Sequence, residues 1–222
     1  MVALDVQTAE EARGLVRSIG DAAEFYKVGL ELYAAAGMDF VHELADGFGK
    51  KVFLDLKMYD IGETVKRATA QIAQHNVTFL TIHAVSSVMC AALQGRGNAK
   101  TQLLAVTVLT SFDQSDLVDL DYPESTTISQ LVESRVKKAM AIGMEGVVCS
   151  PLEVARVREV SGPGLKLITP GVRSAGASVG DQKRVATPSQ AIRDGADYIV
   201  VGRQVTRASG PRAACEQILA EL

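Results

Sequence analysis

Short apolar segments alternate with longer amphipathic segments along the whole chain, and this alternation limits the fold more than any other feature. The apolar segments are rich in Val, Ile, Leu and Phe, which is typical of strands covered on both faces. They predict strands at 2–6, 25–29, 51–55, 79–83, 102–108, 146–149, 165–169 and 198–202. Helical patterns fill most of the gaps, for example at 10–19, 64–74 and 128–142. Such an alternation indicates a parallel sheet.

The number of units separates two architectures with parallel sheets. Eight strand–helix units favour a closed (β/α)₈ barrel, the TIM barrel, over an open flavodoxin-like sheet, which usually has fewer strands. A length of 222 residues allows one or two domains, and single α/β barrels commonly fall in this range. We therefore predict the α/β class, with one (β/α)₈ barrel domain over residues 1–222.

Composition excludes several classes of protein. A hydrophobic content of 47% and a net charge of −3 fit neither a disordered chain nor a nucleic-acid-binding protein. Three irregularly spaced cysteines predict reduced thiols in a cytoplasmic protein rather than a disulfide framework. Residues 2–6 favour a strand over a signal peptide, and no apolar stretch approaches the roughly 18 residues of a membrane span.

Charged residues lie at or near the ends of the first three predicted strands. Asp5 closes the first strand, Lys27 lies in the second, and Asp55, Lys57 and Asp60 occupy the third and its end. Two strand residues that are two positions apart point to the same face, so Asp55 and Lys57 should lie side by side. A single pair of this kind is usually structural. Five charges at the end of a barrel where active sites form favour catalysis, since buried charges are costly unless paired or used.

The alternating signs of these charges also predict their protonation. A lysine lowers the pKa of a neighbouring carboxylate, and a carboxylate raises the pKa of a neighbouring ammonium group. Lys57 would therefore stay protonated and could donate a proton. It would be a poor Schiff-base nucleophile, because that role needs a neutral amine.

The last two strands end in residues suited to a phosphate group. Arg173 follows the seventh strand, and Gly202 and Arg203 end the eighth, before a short helix-compatible segment at 204–206. Barrels often bind phosphate in these two loops, at the start of a short helix. Gln182 lies in the long loop after the seventh strand, which could fold over a bound phosphate. The histidines and cysteines show no metal-ligand spacing, and no nucleotide-binding fingerprint occurs.

A longer motif extends the charged segment. Residues 55–64 match the pattern D-x-K-x-x-D-I-x-x-T, and further ordered matches occur at 27–29, 108–111, 169–173, 180–182 and 201–203. On these motifs the chain resembles the orotidine 5′-phosphate decarboxylase family in its bacterial form, over essentially its whole length. The resemblance implies decarboxylation of orotidine 5′-monophosphate to uridine 5′-monophosphate in de novo pyrimidine biosynthesis, with no cofactor and no metal.

The resemblance also implies a role for each matching residue. Lys57 would protonate C6 of the pyrimidine, Asp55 would lie against the departing carboxylate, and Lys27 and Asp60 would complete the catalytic charge network. The substrate-binding residues would be Asp5, Lys27, Asp55, Ile61, Thr64, Thr110, Arg173, Gln182, Gly202 and Arg203. Asp5 would bind the ribose region, Thr110 the pyrimidine, and the last four the phosphate. Asp60, Ile61 and Thr64 would reach into the neighbouring subunit's site, which implies a homodimer with shared active sites.

The chain departs from the family pattern at three positions. Tyr59 stands where the family commonly has His, and Gly62 and Glu63 stand where it has Pro-Asn. We expect these changes to affect local rigidity or dimer contact, not the reaction.

Three other functions are compatible with parts of the pattern. Mg²⁺-dependent relatives that decarboxylate 3-keto-gulonate 6-phosphate or make hexulose phosphates share the D-x-K-x-x-D core, but typically have Glu near the position of Lys27. A Schiff-base aldolase would use Lys57 as a nucleophile. A catalytically inactive barrel that only binds phosphorylated ligands would give the charged residues no role in a reaction.

Overall fold

The computed structural model describes residues 1–174 and 186–222. Its eight parallel strands form one sheet in sequential order. They are β1 (Val2–Ala3), β2 (Phe25–Gly29), β3 (Lys51–Met58), β4 (Phe79–His83), β5 (Gln102–Val106), β6 (Gly146–Val148), β7 (Lys166–Thr169) and β8 (Tyr198–Ile199). A parallel bridge between Val2 and Val201 joins the last strand region to the first and closes the sheet. The prediction of a (β/α)₈ barrel is therefore confirmed.

The helices follow the strands in the order expected for this fold. They are α1 (Ala9–Ile19), α2 (Leu30–His42), α3 (Gly62–Ile72), α4 (Ser86–Arg96), α5 (Gln114–Asp119), α6 (Ile128–Ile142), α7 (Val154–Ser161), α8 (Pro188–Arg193), α9 (Arg203–Thr206) and α10 (Pro211–Ala220). Helix α6 matches its predicted limits because both ends carry strong local signals. Thr127 and Gln130 form a capping box at its start, and Gly143 adopts a left-handed conformation at its end, with φ 89°. In the described part of the chain, no helix is both long and apolar enough to cross a membrane.

The apolar core has two layers. The inner layer fills the barrel with alternate strand residues, and its buried members are Ala3, Phe53, Phe79, Leu104, Val106, Val148, Ile168 and Val200. The outer layer packs the other strand faces, such as Leu54 and Leu80, against the helices. The inner layer is a packed plug, as is usual in such barrels. It therefore forms a floor beneath anything bound at the C-terminal ends of the strands.

Several predicted strand limits were wrong. β1 ends at Ala3 and β8 at Ile199, so both are shorter than predicted, whereas β3 continues past residue 55 to Met58. β3 is longer because its pairing with β4 shifts register after Leu54 and resumes at Met58. The polar segment 111–126, which follows β5, contains the short helix α5. The side chain of Asp113 caps the start of this helix.

Candidate active site

A cavity of about 610 Å³ opens at the C-terminal ends of the strands. Its floor is apolar and belongs mostly to the inner core layer, with Ala3, Phe53, Val106, Val148 and Val200. One wall carries four charged residues of the β1–β3 side, Asp5, Lys27, Asp55 and Lys57, and Glu31 from the first turn of α2 also lines the cavity. The wall next to it, on the β7–β8 side, carries Arg173, Arg203 and Arg207. A concave site with an apolar floor and convergent polar groups is typical of small-molecule binding.

A bulge of three residues in β3 shapes the charged wall. Leu54 pairs with Leu80 and Met58 with Ile82, so three residues of β3 lie opposite the single residue Thr81. Lys57 adopts a left-handed conformation with φ 49°, which is rare and costly for a residue with a β-carbon. Asp55 and Lys57 both face the cavity, as predicted from their spacing. The backbone that presents them is irregular, however, and not the regular strand that this prediction assumed.

The charges on this wall form a continuous chain of alternating sign. The Lys27 ammonium donates a hydrogen bond to Asp5 Oδ1 at 2.9 Å and lies 3.7 Å from Asp55 Oδ2. The Lys57 ammonium donates to the same Asp55 Oδ2 at 2.8 Å. The side chains of Lys27 and Asp55 are each only 12% exposed, so water screens this part of the chain poorly.

Asp55 stays ionised despite its burial. Burial acts to raise the pKa of this carboxyl group, but the positive charges of Lys27 and Lys57 outweigh burial and hold the pKa below its usual value. Hydrogen bonds from Lys57 and from the Thr81 hydroxyl act in the same direction. The cavity therefore presents a fixed negative charge next to the Lys57 side chain.

The β7–β8 wall is positively charged. Burial and the nearby charge of Arg203 lower the pKa of Arg173, and Asp5 opposes them. The Gln204 side chain accepts a hydrogen bond from the Ser174 N–H at 3.1 Å and donates one to Ser174 Oγ at 2.5 Å, which ties α9 to the segment after β7. Two guanidinium groups held near each other favour an anion between them, because the anion would relieve their repulsion.

The structure brings together most, but not all, of the predicted site residues. Thr110 and Gly202 line the cavity with the residues named above. Asp60 and Ile61 are exposed and Thr64 is half-buried, and none of the three lines the cavity of its own chain. The Asp60 carboxylate instead accepts a hydrogen bond from the Ile61 N–H at 2.6 Å. Gln182 lies outside the described residues.

Three polar residues of the site, Glu31, Thr81 and Arg207, were missed from the sequence. Arg207 lines the cavity four residues after Arg203, and this spacing of one helical turn was an available signal. Thr81 is fully buried and hydrogen-bonded to Asp55 at 3.0 Å. The alternation of Phe79, Thr81 and His83 along β4 could have placed Thr81 on the inner face of the barrel. Over residues 1–174 and 186–222, no cluster of three His, Cys, Asp or Glu side chains is arranged to hold a metal ion.

Comparison with known proteins identifies one family. The model of the Orotidine 5′-phosphate decarboxylase / HUMPS family matches residues 1–218. The chain belongs to this family. An orotidine 5′-phosphate decarboxylase from Rhodopseudomonas palustris strain HaA2 is 47% identical over 222 residues, which cover 100% of this chain and 93% of the relative. The protein of the same name from Nitrobacter winogradskyi is also 47% identical, over 100% of this chain and 91% of its own length.

Solved structures agree with the sequence relatives. The crystal structure of orotidine 5′-phosphate decarboxylase from Lactobacillus acidophilus superimposes with a TM-score of 0.86 at 38% identity, covering 99% of this chain and 96% of that one. An uncharacterized conserved protein from Geobacillus kaustophilus gives a TM-score of 0.84 at 32% identity, with coverage of 99% and 98%. The predicted family is therefore confirmed, and so is the prediction that the chain is an enzyme of the carboxy-lyase class.

Proposed function

We propose that this enzyme decarboxylates orotidine 5′-monophosphate to uridine 5′-monophosphate, in de novo pyrimidine biosynthesis. The observation that carries the proposal is the arrangement around Asp55. This ionised carboxylate lies between two lysine ammonium groups, in a cavity with an apolar floor and a positively charged β7–β8 wall. The names of the relatives that align over the full length of the chain support the same reaction.

The chemical step requires a proton donor at the carbon that loses its carboxylate. The bond between C6 and the carboxylate breaks, carbon dioxide leaves, and the electron pair stays on C6. Lys57 then gives one ammonium proton to C6, which forms the C6–H bond of the product and leaves a neutral amine that regains a proton from water. The 2.8 Å hydrogen bond to Asp55 holds the Lys57 ammonium in place until that transfer.

Asp55 and Lys57 act on different states of the reaction: Asp55 on the bound substrate, and Lys57 on the transition state. The fixed charge of Asp55 repels the substrate carboxylate, and this repulsion is relieved when neutral carbon dioxide departs. The ammonium of Lys57 stabilises the negative charge that develops at C6. Lys27, which contacts Asp5 and lies beside Asp55, supports the ionised state of Asp55. The step proposed here needs no cofactor and no metal ion, since protein charges supply both effects.

The rest of the nucleotide fits the remaining groups of the cavity. Arg173, Gln182, Gly202 and Arg203 bind the phosphate in this proposal, Asp5 the ribose and Thr110 the pyrimidine. Two observations support this assignment: the β7–β8 wall is positively charged, and Asp5 and Thr110 line the same cavity as Lys57. Binding energy from the phosphate would contribute to the rate, since the reacting group itself is small.

We further propose a homodimer in which Asp60, Ile61 and Thr64 complete the partner's site. Ile61 is 73% exposed and its neighbour Tyr59 is 68% exposed, which is unusual for large apolar side chains beside an active site. Their exposure, together with the position of Asp60 outside its own cavity, supports a contact with a second copy of the chain. We also propose a cytoplasmic location, supported by the irregular spacing of the three cysteines, which does not fit a disulfide framework.

A metal-free activity assay tests the proposed reaction against its rivals. Purified protein treated with EDTA should convert orotidine 5′-monophosphate with a steady fall in pyrimidine absorbance. Activity that disappears with EDTA and returns with Mg²⁺ would favour the Mg²⁺-dependent relatives instead. Borohydride trapping of a substrate on Lys57 would favour an aldolase, and an inert protein with nucleotide binding intact would favour a catalytically inactive barrel.

A further inference from the structure

Thr81 lies at the level of the charged wall, behind Asp55 and outside the cavity. It sits in the middle of β4 and is 0% exposed. Its strand neighbours Leu80 and Ile82 pack in the outer core layer, and Phe79 fills the barrel interior. A hydroxyl buried at such a position is unfavourable unless it is hydrogen-bonded.

The Thr81 hydroxyl connects the two central residues of the site. It accepts a hydrogen bond from the backbone N–H of Lys57 at 2.9 Å and donates one to Asp55 Oδ1 at 3.0 Å. An ionised carboxylate can only accept, so the direction of the second bond is fixed. One side chain therefore holds the backbone of the proton donor and the carboxylate beside it.

Both hydrogen bonds occur where the structure is irregular. At the bulge, the backbone of β3 loses its regular pairing with β4, and the Thr81 hydroxyl supplies a partner for the Lys57 N–H at that point. The same bond holds Lys57 in its left-handed conformation, with φ 49°. At Asp55, Thr81 holds Oδ1 while Lys57 and Lys27 lie next to Oδ2, so the plane of the carboxylate is fixed.

We infer that Thr81 is a positioning residue, whose hydroxyl holds Lys57 and Asp55 in the geometry that the chemical step requires. This inference rests on the proposed decarboxylation. Thr81 does not line the cavity, so its hydroxyl should affect the chemical step and leave nucleotide binding unchanged.

Two substitutions at this position isolate the hydroxyl group. Thr81→Val removes it at nearly constant shape, and Thr81→Ser keeps it. The matched control is Thr69→Val, since Thr69 is also 0% exposed but its hydroxyl has no hydrogen-bond partner among the described residues. We expect Thr81→Val to lower kcat on the order of 100-fold, as misplaced reacting groups do. KM and the affinity for the product uridine 5′-monophosphate should stay within about twofold, and Thr81→Ser and Thr69→Val should keep most of the wild-type kcat.

The possible outcomes separate this inference from the proposed function. An inert wild-type protein would overturn the proposed function and this inference with it. An active wild type whose Thr81→Val variant keeps its kcat would overturn this inference alone, as would a variant in which product binding falls as much as kcat. If Thr81→Val does not fold, Thr81→Ala and Thr81→Ser decide the question, and equal kcat values for these two variants would contradict the inference.

Discussion

At the scale of single residues, Asp55 is the group that interacts with both lysines of the site. Its two oxygens contact Thr81 and Lys57, and Lys27 lies 3.7 Å away. The opposing effects of burial and of the two ammonium groups leave the pKa of Asp55 below its usual value. The protein therefore keeps a negative charge where the substrate places another one.

The lowered pKa of Asp55 predicts a pH-dependent contribution to stability. The folded protein keeps Asp55 ionised to a lower pH than the unfolded chain does. This stabilisation is therefore fully present above about pH 4 and is lost as the pH falls through the folded pKa. Asp55→Asn should be less stable than wild type by roughly 2 kcal/mol at pH 7, with a difference that shrinks below about pH 4. Urea unfolding at a series of pH values measures this difference.

Asp119→Asn is the matched control for the stability measurement, because Asp119 is exposed. It should change the free energy of unfolding little at any pH. A stability difference for Asp55→Asn that stays constant from neutral to acid pH would contradict a lowered pKa at this site.

The central charged residues of the site could be predicted from the sequence, whereas the role of the hydroxyl group that positions them could not. Asp55 and Lys57 are informative because charge is rare in a buried strand. Thr81 is not, because β-branched residues are common in strands. Its function depends on the bulge in β3, which brings the Lys57 N–H and the Asp55 carboxylate to the same hydroxyl. No local pattern in the sequence records that change of register.

At the scale of secondary-structure elements, the end of β2 controls the position of Lys27. Gly29 pairs with Asp55 across the β2–β3 ladder. A β-carbon at Gly29 would lie 2.9 Å from the Lys27 ammonium nitrogen and 3.5 Å from Asp5 Oδ1. The absence of a side chain at this position therefore leaves room for the ion pair between Lys27 and Asp5.

Gly29→Ala should disturb catalysis without disturbing the fold. The added methyl group meets the flexible end of Lys27 and no backbone atom closer than 4 Å among its nearest contacts, so Lys27 moves and the barrel does not. We expect kcat to fall about tenfold or more, with little change in the midpoint of thermal unfolding. Steady-state kinetics and thermal denaturation check both parts.

Gly14→Ala is the control for this substitution. Gly14 lies inside α1, and a β-carbon there would meet nothing within 4 Å. This variant should gain up to about 1 kcal/mol of stability from helix propensity and keep its kcat. A Gly29→Ala variant with wild-type kcat would show that the position of Lys27 does not matter to the rate.

At the scale of the whole molecule, the barrel could be predicted because the sequence pattern of a strand followed by a helix is repeated eight times. An error of a few residues in β1 or β8 does not change the number of units or their order. The assembly could not be predicted in this way, since the segment 59–64 shows only that exposed apolar groups lie near the site. The homodimer was inferred from the family resemblance and stays a prediction.

A mixing experiment tests whether two subunits share each site. In a mixed dimer of Lys57→Ala and Asp60→Ala chains, one site carries both substitutions and the other carries neither. Two nearly inactive proteins should therefore recover up to about a quarter of the wild-type activity after they exchange subunits at equal amounts. No recovery, in a sample where mixed dimers are shown to form, would contradict shared sites.

The most direct test of the account is the turnover of Lys57→Ala on orotidine 5′-monophosphate in metal-free buffer, measured beside wild type. Wild type should decarboxylate the nucleotide. The variant should lose at least roughly 10²–10⁴-fold in kcat, the contribution typical of a positioned proton donor, and should still bind uridine 5′-monophosphate. A Lys57→Ala variant that turns over at the wild-type rate would contradict the assignment of Lys57 as proton donor, and with it the mechanism proposed for this enzyme.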